Sequence, residues 1–238
     1  MHGPLDYFLW FGSAVLQAAA VVCSLRAKCF FKFFFLNFYL VAACLATALR
    51  YLIFVHYGLA STQYFYNYYY SDLLLTICLY LALSGLFVHV FKEMGASKHI
   101  RLGAVLVLIA TAGVSFLIVR HAQGDLTDAN NLHGAKFVYE LTQNLYFVGA
   151  VLTYLLWFAV LKLHQMHTRV VQIILALGVY FSAFAASYAF AGISPYSWLW
   201  RGVCYVAALW LPIAWGYAFL KVPAEAKLMT AQIAPGHS

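Results

Sequence analysis

The sequence predicts an all-α integral membrane protein, a polytopic bundle of about seven transmembrane helices. Hydrophobic residues make up 65% of the 238-residue chain and charged residues only 9%, whereas a soluble globular domain carries about 25% charged residues. Apolar segments of about 20 residues also follow one another along the chain. Each can cross about 30 Å of hydrocarbon as a helix, the conformation that satisfies backbone groups where water is absent.

The predicted spans form a single transmembrane domain, 1–221, followed by a short cytoplasmic tail, 222–238. The spans are 7–25, 30–55, 72–91, 102–119, 137–161, 170–191 and 197–220. No Lys or Arg precedes the first apolar run, so we expect an uncleaved first helix rather than a signal peptide. The longest outer connections are then 56–71 and 120–136.

The basic residues predict the orientation of the bundle. Ten of the 14 Lys and Arg residues fall on one side of the predicted membrane. They are Arg26, Lys28, Lys32, Lys92, Lys98, Arg101, Lys162, Arg169, Lys221 and Lys227. By the positive-inside rule this side is cytoplasmic, so the N-terminus lies outside and the C-terminus in the cytoplasm. The chain is expected to cross its membrane several times, and the expected partner is the lipid bilayer. The short basic loops form no clustered patch, so we expect no nucleic-acid binding.

The stretch YFYNYYYSD, residues 64–72, is the most unusual in the chain. It precedes the third span on the outer side. Tyr favours the headgroup region because its ring is apolar and its hydroxyl prefers water or a lipid headgroup. An interfacial belt with loop packing is one interpretation of the stretch. The other is an aromatic wall that faces a ligand, which would include Tyr66 and Tyr69.

Polar residues near the outer ends of four spans are the candidate site, because each is costly at membrane depth unless it is paired or hydrated. Glu140, Gln143 and Asn144 share one face of the fifth span, at spacings of three and four residues. The full set of ligand-binding candidates is Arg50, Asp72, Glu140, Gln143, Asn144, Arg201, Tyr66 and Tyr69. We expect Glu140 to pair with Arg50 or Arg201. The cluster is then a structural ion-pair network, an outward-facing pocket, or a set of arginines that snorkel to the headgroups.

The sequence offers no catalytic residue, metal site or cofactor. It contains no HExxH, GxSxG or Gly-rich phosphate-binding motif. Lys221 lies at a membrane boundary, where it is unsuited to a retinal Schiff base. A haem would need two histidines at equal depth, and only His89 with His164 approaches this. A close helix–helix contact is predicted at Gly178, Ser182 and Ala186, which repeat every four residues.

Three stretches carry a resemblance to a known group. YFYNYYYSD opens the third span, LFVHVFKEM closes it, and YELTQNLYFVGAVLTYLLWFAVL forms the fifth. Together they resemble an uncharacterised seven-helix integral membrane protein family of soil bacteria. More loosely, the chain is similar to the seven-helix sensory regions of bacterial receptor histidine kinases. The resemblance implies the seven-helix fold, a location in the bacterial cell inner membrane, and no established activity.

Three function classes remain open from the sequence. The favoured interpretation is a sensor or receptor-like protein, or an accessory subunit bound to another membrane protein, with an outward-facing polar pocket. A small-molecule transporter is an alternative, although the inner halves of the spans are nearly all apolar. A membrane-embedded enzyme is a further alternative, which would use Glu140 or a histidine as acid or base but lacks an evident second group.

Overall fold

Seven α-helices and no strand form the described part of the chain. The computed structural model describes residues 4–58, 61–93, 97–122, 132–162, 168–191 and 197–222. The helices are α1 (Pro4–Arg26), α2 (Phe34–Tyr57), α3 (Thr62–Glu93), α4 (Lys98–Ala122), α5 (Leu132–Lys162), α6 (Thr168–Ala191) and α7 (Ser197–Lys221). The all-α prediction is confirmed over these residues. The predicted tail and most of the 120–136 connection lie outside them.

Six of the helices, α2 to α7, are long and apolar enough to cross a membrane. The apolar part identified in α1 is shorter and covers Phe11–Arg26. Large apolar side chains cover much of the outer surface, with Leu106, Ile109 and Leu117 of α4 all more than half exposed. Exposed apolar surface of this extent suits contact with lipid, so the protein is a multi-pass membrane protein.

The helices form a ring around an aromatic core. Neighbours in the ring run α1, α2, α3, α5, α6 and α7, and α7 packs back against α1. The α4 helix packs against α3 and α5. On α6, Ile173, Leu177 and Phe181 are fully buried, so this helix faces the interior much more than α4 does.

The α5–α6 contact is the closest helix approach seen at a glycine. A Cβ atom added to Gly149 would lie 2.6 Å from Cε1 of Phe181. One added to Gly178 would lie 3.4 Å from Cγ2 of Thr153. Ser182 also donates a hydrogen bond to the Tyr154 hydroxyl at 3.2 Å. The predicted close contact is therefore confirmed at Gly178 and Ser182, because small residues let the two backbones approach.

The main correction concerns the start of α3. The helix begins at Thr62 rather than at 72, so the predicted outer connection 56–71 is wrong over its last ten residues. Gly58, at φ +74°, ends α2. Ser61 then caps α3, because its Oγ accepts a hydrogen bond from the Tyr64 amide at 3.1 Å. The whole tyrosine-rich stretch, residues 64–72, is therefore helical.

A second correction concerns the start of α2, which is Phe34 rather than residue 30. The preceding residues form turns, with Lys28 in the left-handed region at φ +54°. The fully buried Asn37 holds these turns, since its Nδ2 donates to the carbonyls of Phe30 at 3.2 Å and Phe33 at 3.0 Å. Those side-chain bonds favour a turn over a further helical turn.

Candidate functional site

Arg50 is the centre of a hydrogen-bonded network near the end of α2. Its Nε donates to Ser71 Oγ at 2.7 Å and its Nη2 to the Tyr68 carbonyl at 3.2 Å. The guanidinium lies over the Tyr68 ring, 4.5 Å from the centroid. Nη2 also lies 3.9 Å from Oδ1 of Asp72. Arg50 thus binds residues 68–72 of α3 through a charge pair, hydrogen bonds and a ring contact.

Asp72 extends this network to a third helix. Its Oδ2 accepts a hydrogen bond from the Tyr188 hydroxyl of α6 at 3.0 Å. Only 12% of the Arg50 side chain and 16% of the Asp72 side chain are exposed. A charge in such a site is tolerable only when it is paired and hydrogen-bonded. The network therefore links α2, α3 and α6 at one end of the bundle, which we call the tyrosine end.

Two tyrosine rings, one after the other, extend from Tyr188 toward the start of α3. Tyr139 of α5 packs edge-on against Tyr188, with centroids 4.9 Å apart. Tyr69 of α3 packs edge-on against Tyr139 at 6.4 Å. Tyr69 is thus placed beside the ionic network, as the ligand-facing interpretation requires. The Tyr66 ring packs against the rings of Phe65 and Tyr70 on its own helix.

The structure pairs Arg50 and Glu140 with other residues, not with each other as predicted. Arg50 is paired with Asp72 instead of Glu140, and Oε1 of Glu140 lies 3.8 Å from Nζ of Lys136, one turn earlier on α5. The Lys136 side chain is 69% exposed and that of Glu140 is 32% exposed, so water screens this pair and it contributes little to stability. Arg201 belongs to α7 by its backbone, but its side chain lies outside the described part of the structure. Its pairing with Glu140 stays a prediction.

The other two candidates on α5 lie close to these residues in sequence. Gln143 and Asn144 are both half-buried. Their helical spacing from Glu140 is confirmed, because all three belong to α5. A role for the two amides in binding stays a prediction.

The sequence interpretation missed three members of the network: Ser71, Tyr68 and Tyr188. Ser71 and Tyr68 lie within one turn before Asp72, so a helical interpretation of YFYNYYYSD would have placed them beside it. Tyr188 has no such signal, since it is one aromatic residue among many in an apolar span. Only the rotation of α6 about its axis brings it to Asp72.

Packed aromatic rings continue from Tyr188 into the core. Tyr188 stacks on Tyr146 with centroids 5.6 Å apart, and Tyr146 lies 6.3 Å from Tyr180. The Tyr39 hydroxyl donates to the Tyr180 hydroxyl at 3.4 Å, and the Tyr39 ring packs edge-on against Trp215 at 6.0 Å. We call these five residues the aromatic column. It connects α6, α5, α2 and α7.

The opposite end, which we call the basic end, has its own arginine. Arg169 of α6 donates from Nη1 to Cys29 Sγ at 3.0 Å and from Nε to the Val222 carbonyl at 3.1 Å. Its Nη2 donates to the carbonyls of Val222 and Phe219. These carbonyls belong to the end of α7, where no helical partner remains for them. Arg169 therefore caps α7 and ties it to the turn between α1 and α2.

Within the described residues, no group of three or more His, Cys, Asp or Glu side chains could hold a metal ion. Of the histidine pair considered for haem, His89 packs against Phe33 with centroids 5.6 Å apart. His164 lies outside the described residues. Comparisons of this chain with protein-family models, with curated proteins and with solved structures find no match.

Proposed function

We propose that the protein is a receptor-like or accessory subunit of a bacterial inner membrane with a polar ligand site at its tyrosine end. In this proposal α1 is the seventh span, the tyrosine end faces outward and the C-terminus is cytoplasmic. The ten basic residues on the other side support the orientation. We also propose two groups of relatives: the seven-helix family of soil bacteria and, more loosely, the sensory regions of receptor histidine kinases. The three stretches quoted above are the basis for the first.

One observation carries the proposal: Arg50, Asp72 and Tyr188 join three helices through polar contacts beneath tyrosine rings. A ligand with a charged group would compete for Arg50 or Asp72. Because the same two side chains hold α2, α3 and α6 together, such competition would change how the three helices are held. A ligand can shift a conformational equilibrium only through such a difference in contacts.

The aromatic column gives this change a route across the bundle. It begins at Tyr188, which contacts Asp72, and ends at Trp215, three residues from Pro212 in α7. Close-packed side chains in a protein interior have low compressibility and transmit strain. A proline inside a helix removes one backbone hydrogen bond and marks a bend. This arrangement favours a sensor over an inert bundle.

A thermal-shift screen of the purified protein in detergent tests the proposal. The panel contains amino acids, organic amines and short carboxylates. We expect at least one class to raise the unfolding temperature of the wild type but not of the Arg50→Gln/Asp72→Asn double variant. Arg120→Gln, an exposed arginine on α4, is the matched control and should respond like the wild type. Equal stabilisation of all three proteins would contradict the site.

The same compounds separate a receptor from a transporter. A receptor binds its ligand without moving it, so proteoliposomes should show no uptake of a stabilising compound. Saturable uptake that the double variant lacks would support the transporter instead. Co-purification from native membranes would then identify a subunit partner, since an accessory protein is isolated with its complex.

Thiol labelling tests the orientation. In a Cys-less background, single cysteines at positions 28 and 98 should resist a membrane-impermeant reagent in intact cells, because the basic side is cytoplasmic. A cysteine at position 128, which lies outside the described residues, should react. The reverse pattern would overturn the proposed orientation.

A further inference from the structure

The turn between α1 and α2 combines exposed cations with exposed aromatic rings. Arg26, Lys28 and Lys32 are all exposed. Phe31 is 86% exposed, Phe34 is 46% exposed, and Phe34 follows Lys32 by two residues. We call these five residues the basic–aromatic turn. An exposed Phe is unfavourable in water because its apolar surface is not buried. The turn therefore suits a surface that has both apolar and charged groups.

The backbone of this turn is fixed, so its exposed groups are presented together. Cys29 and Phe33 point into the protein and are nearly fully buried. The Asn37 side chain holds two carbonyls of the turn, and Arg169 holds the Cys29 sulfur. Lys28 adopts a left-handed conformation that costs a non-glycine residue of order 1 kcal/mol. These buried contacts hold that conformation in place.

The basic charge of the turn has no acidic counterpart on the two helices that it joins, beyond Asp6. The chain contains no Asp or Glu from residue 7 to residue 71, so neither α1 nor α2 supplies a nearby carboxylate after Asp6. Lys32 lies over the Phe33 ring, 5.7 Å from its centroid, a contact that leaves its charge uncompensated. Three cations within seven residues therefore face outward without an acidic neighbour on their own helices.

We propose that the basic–aromatic turn is a binding site for an anionic phospholipid. The phosphate headgroup contacts Arg26, Lys28 and Lys32, and the acyl chains lie against Phe31 and Phe34. A cation near an anionic membrane surface contributes about 1 kcal/mol, and aromatic rings favour the same interfacial depth. The turn joins two apolar helices, so it lies where headgroups meet hydrocarbon. The site is at the opposite end of the bundle from the proposed ligand site and does not depend on it.

Native mass spectrometry of the full-length protein tests this site. The protein is released from micelles that contain equal amounts of phosphatidylglycerol and phosphatidylcholine, and the ratio of the two bound lipids is measured. We expect the wild type to retain phosphatidylglycerol preferentially. Arg26→Gln/Lys32→Gln should lower this preference about tenfold or more, because two contributions of about 1 kcal/mol are removed.

A matched double variant separates a specific site from general positive charge. Lys98→Gln/Lys221→Gln removes two exposed cations from other helix ends of the same side and should leave the lipid ratio within about twofold of wild type. Phe31→Ser should lower the binding of both lipids while the ratio changes little. Circular dichroism confirms that each variant is folded. An equal loss of preference in both double variants, or no preference in the wild type, would overturn the proposal.

Discussion

The two ends of the bundle each depend on one arginine, but the two arginines are satisfied differently. Arg50 at the tyrosine end binds the side chains of Ser71 and Asp72 and the Tyr68 carbonyl. Arg169 at the basic end binds two carbonyls of the α7 terminus and the Cys29 sulfur. One partner set contains a full negative charge, and the other consists of dipoles and a thiol.

The difference follows from the backbone that each arginine meets. The C-terminal end of a helix carries about half a negative charge and free carbonyls, so a cation is stabilised there without a carboxylate. Arg50 instead meets the flank of α3, where most carbonyls already accept helical hydrogen bonds. It needs Asp72 for charge balance. A ligand that offers a competing charge can therefore displace partners of Arg50, whereas the contacts of Arg169 hold the end of α7 in place.

Breaking the Arg50–Asp72 pair should give the largest effect. Asp72→Asn or Arg50→Gln alone leaves an uncompensated, mostly buried charge and should cost about 3 kcal/mol of unfolding free energy. The double variant should recover part of this loss. Thermal unfolding in detergent measures the coupling, and Arg120→Gln should change the stability by no more than about 0.5 kcal/mol. Additive losses would show that the two charges act independently.

Two substitutions of Arg169 separate the contribution of hydrogen-bond geometry to stability from that of charge at the basic end. Arg169→Gln should cost about 2 kcal/mol, because charge-assisted bonds to the α7 carbonyls are lost. Arg169→Lys keeps the charge beside the helix terminus but lacks the planar fork, so it should recover only part of the stability. Lys98→Gln, at an exposed cation of the same end, serves as the control in detergent. Full recovery by Lys would mean that charge alone suffices.

The α6 helix carries both Tyr188 and Arg169, so its packing against α5 positions residues at both ends of the bundle. Gly149→Ala would place a methyl group 2.6 Å from a carbon of the Phe181 ring and should cost between about 1 and 2 kcal/mol. Adding Phe181→Leu should relieve part of this clash.

Gly103→Ala on α4 is the control for the Gly149 variant, since no atom lies within 4 Å of its added Cβ. It should leave stability unchanged or raise it slightly, because alanine is the better helix former. The unfolding midpoints of the two variants measure the difference. A Gly149→Ala protein as stable as the Gly103→Ala protein would contradict the close α5–α6 contact.

Removing one hydroxyl should give the smallest effect at the tyrosine end. Tyr188→Phe keeps the stack on Tyr146 but deletes the hydrogen bond to Asp72, so it should cost about 1 kcal/mol. Tyr217→Phe, at a residue 57% exposed, should be neutral. A neutral Tyr188→Phe would reduce the network to the Arg50–Asp72 pair and remove its link to α6.

Several features of the fold could be predicted from local sequence. The boundary between α2 and α3 is one of them, because a glycine that ends a helix (Gly58) and a serine three residues later that caps the next (Ser61) are standard signals. The start of α2 is harder to predict from the sequence. It depends on the Asn37 side chain turning back to the carbonyls of residues 30 and 33, and an asparagine inside an apolar run does not reveal its partner.

The sequence by itself determined the all-helical membrane fold and the presence of charged residues near helix ends, because both follow from composition and order along the chain. It did not determine that Arg50 pairs with Asp72, that Tyr188 reaches the same carboxylate, or that Arg169 caps α7. Those pairings depend on the order of helices around the ring and on the rotation of each helix about its axis. In lipid every face of a span is apolar, so the hydrophobic pattern that orients a helix in a soluble protein is weak. Close packing, such as that of Gly149 against Phe181, decides the rotation instead.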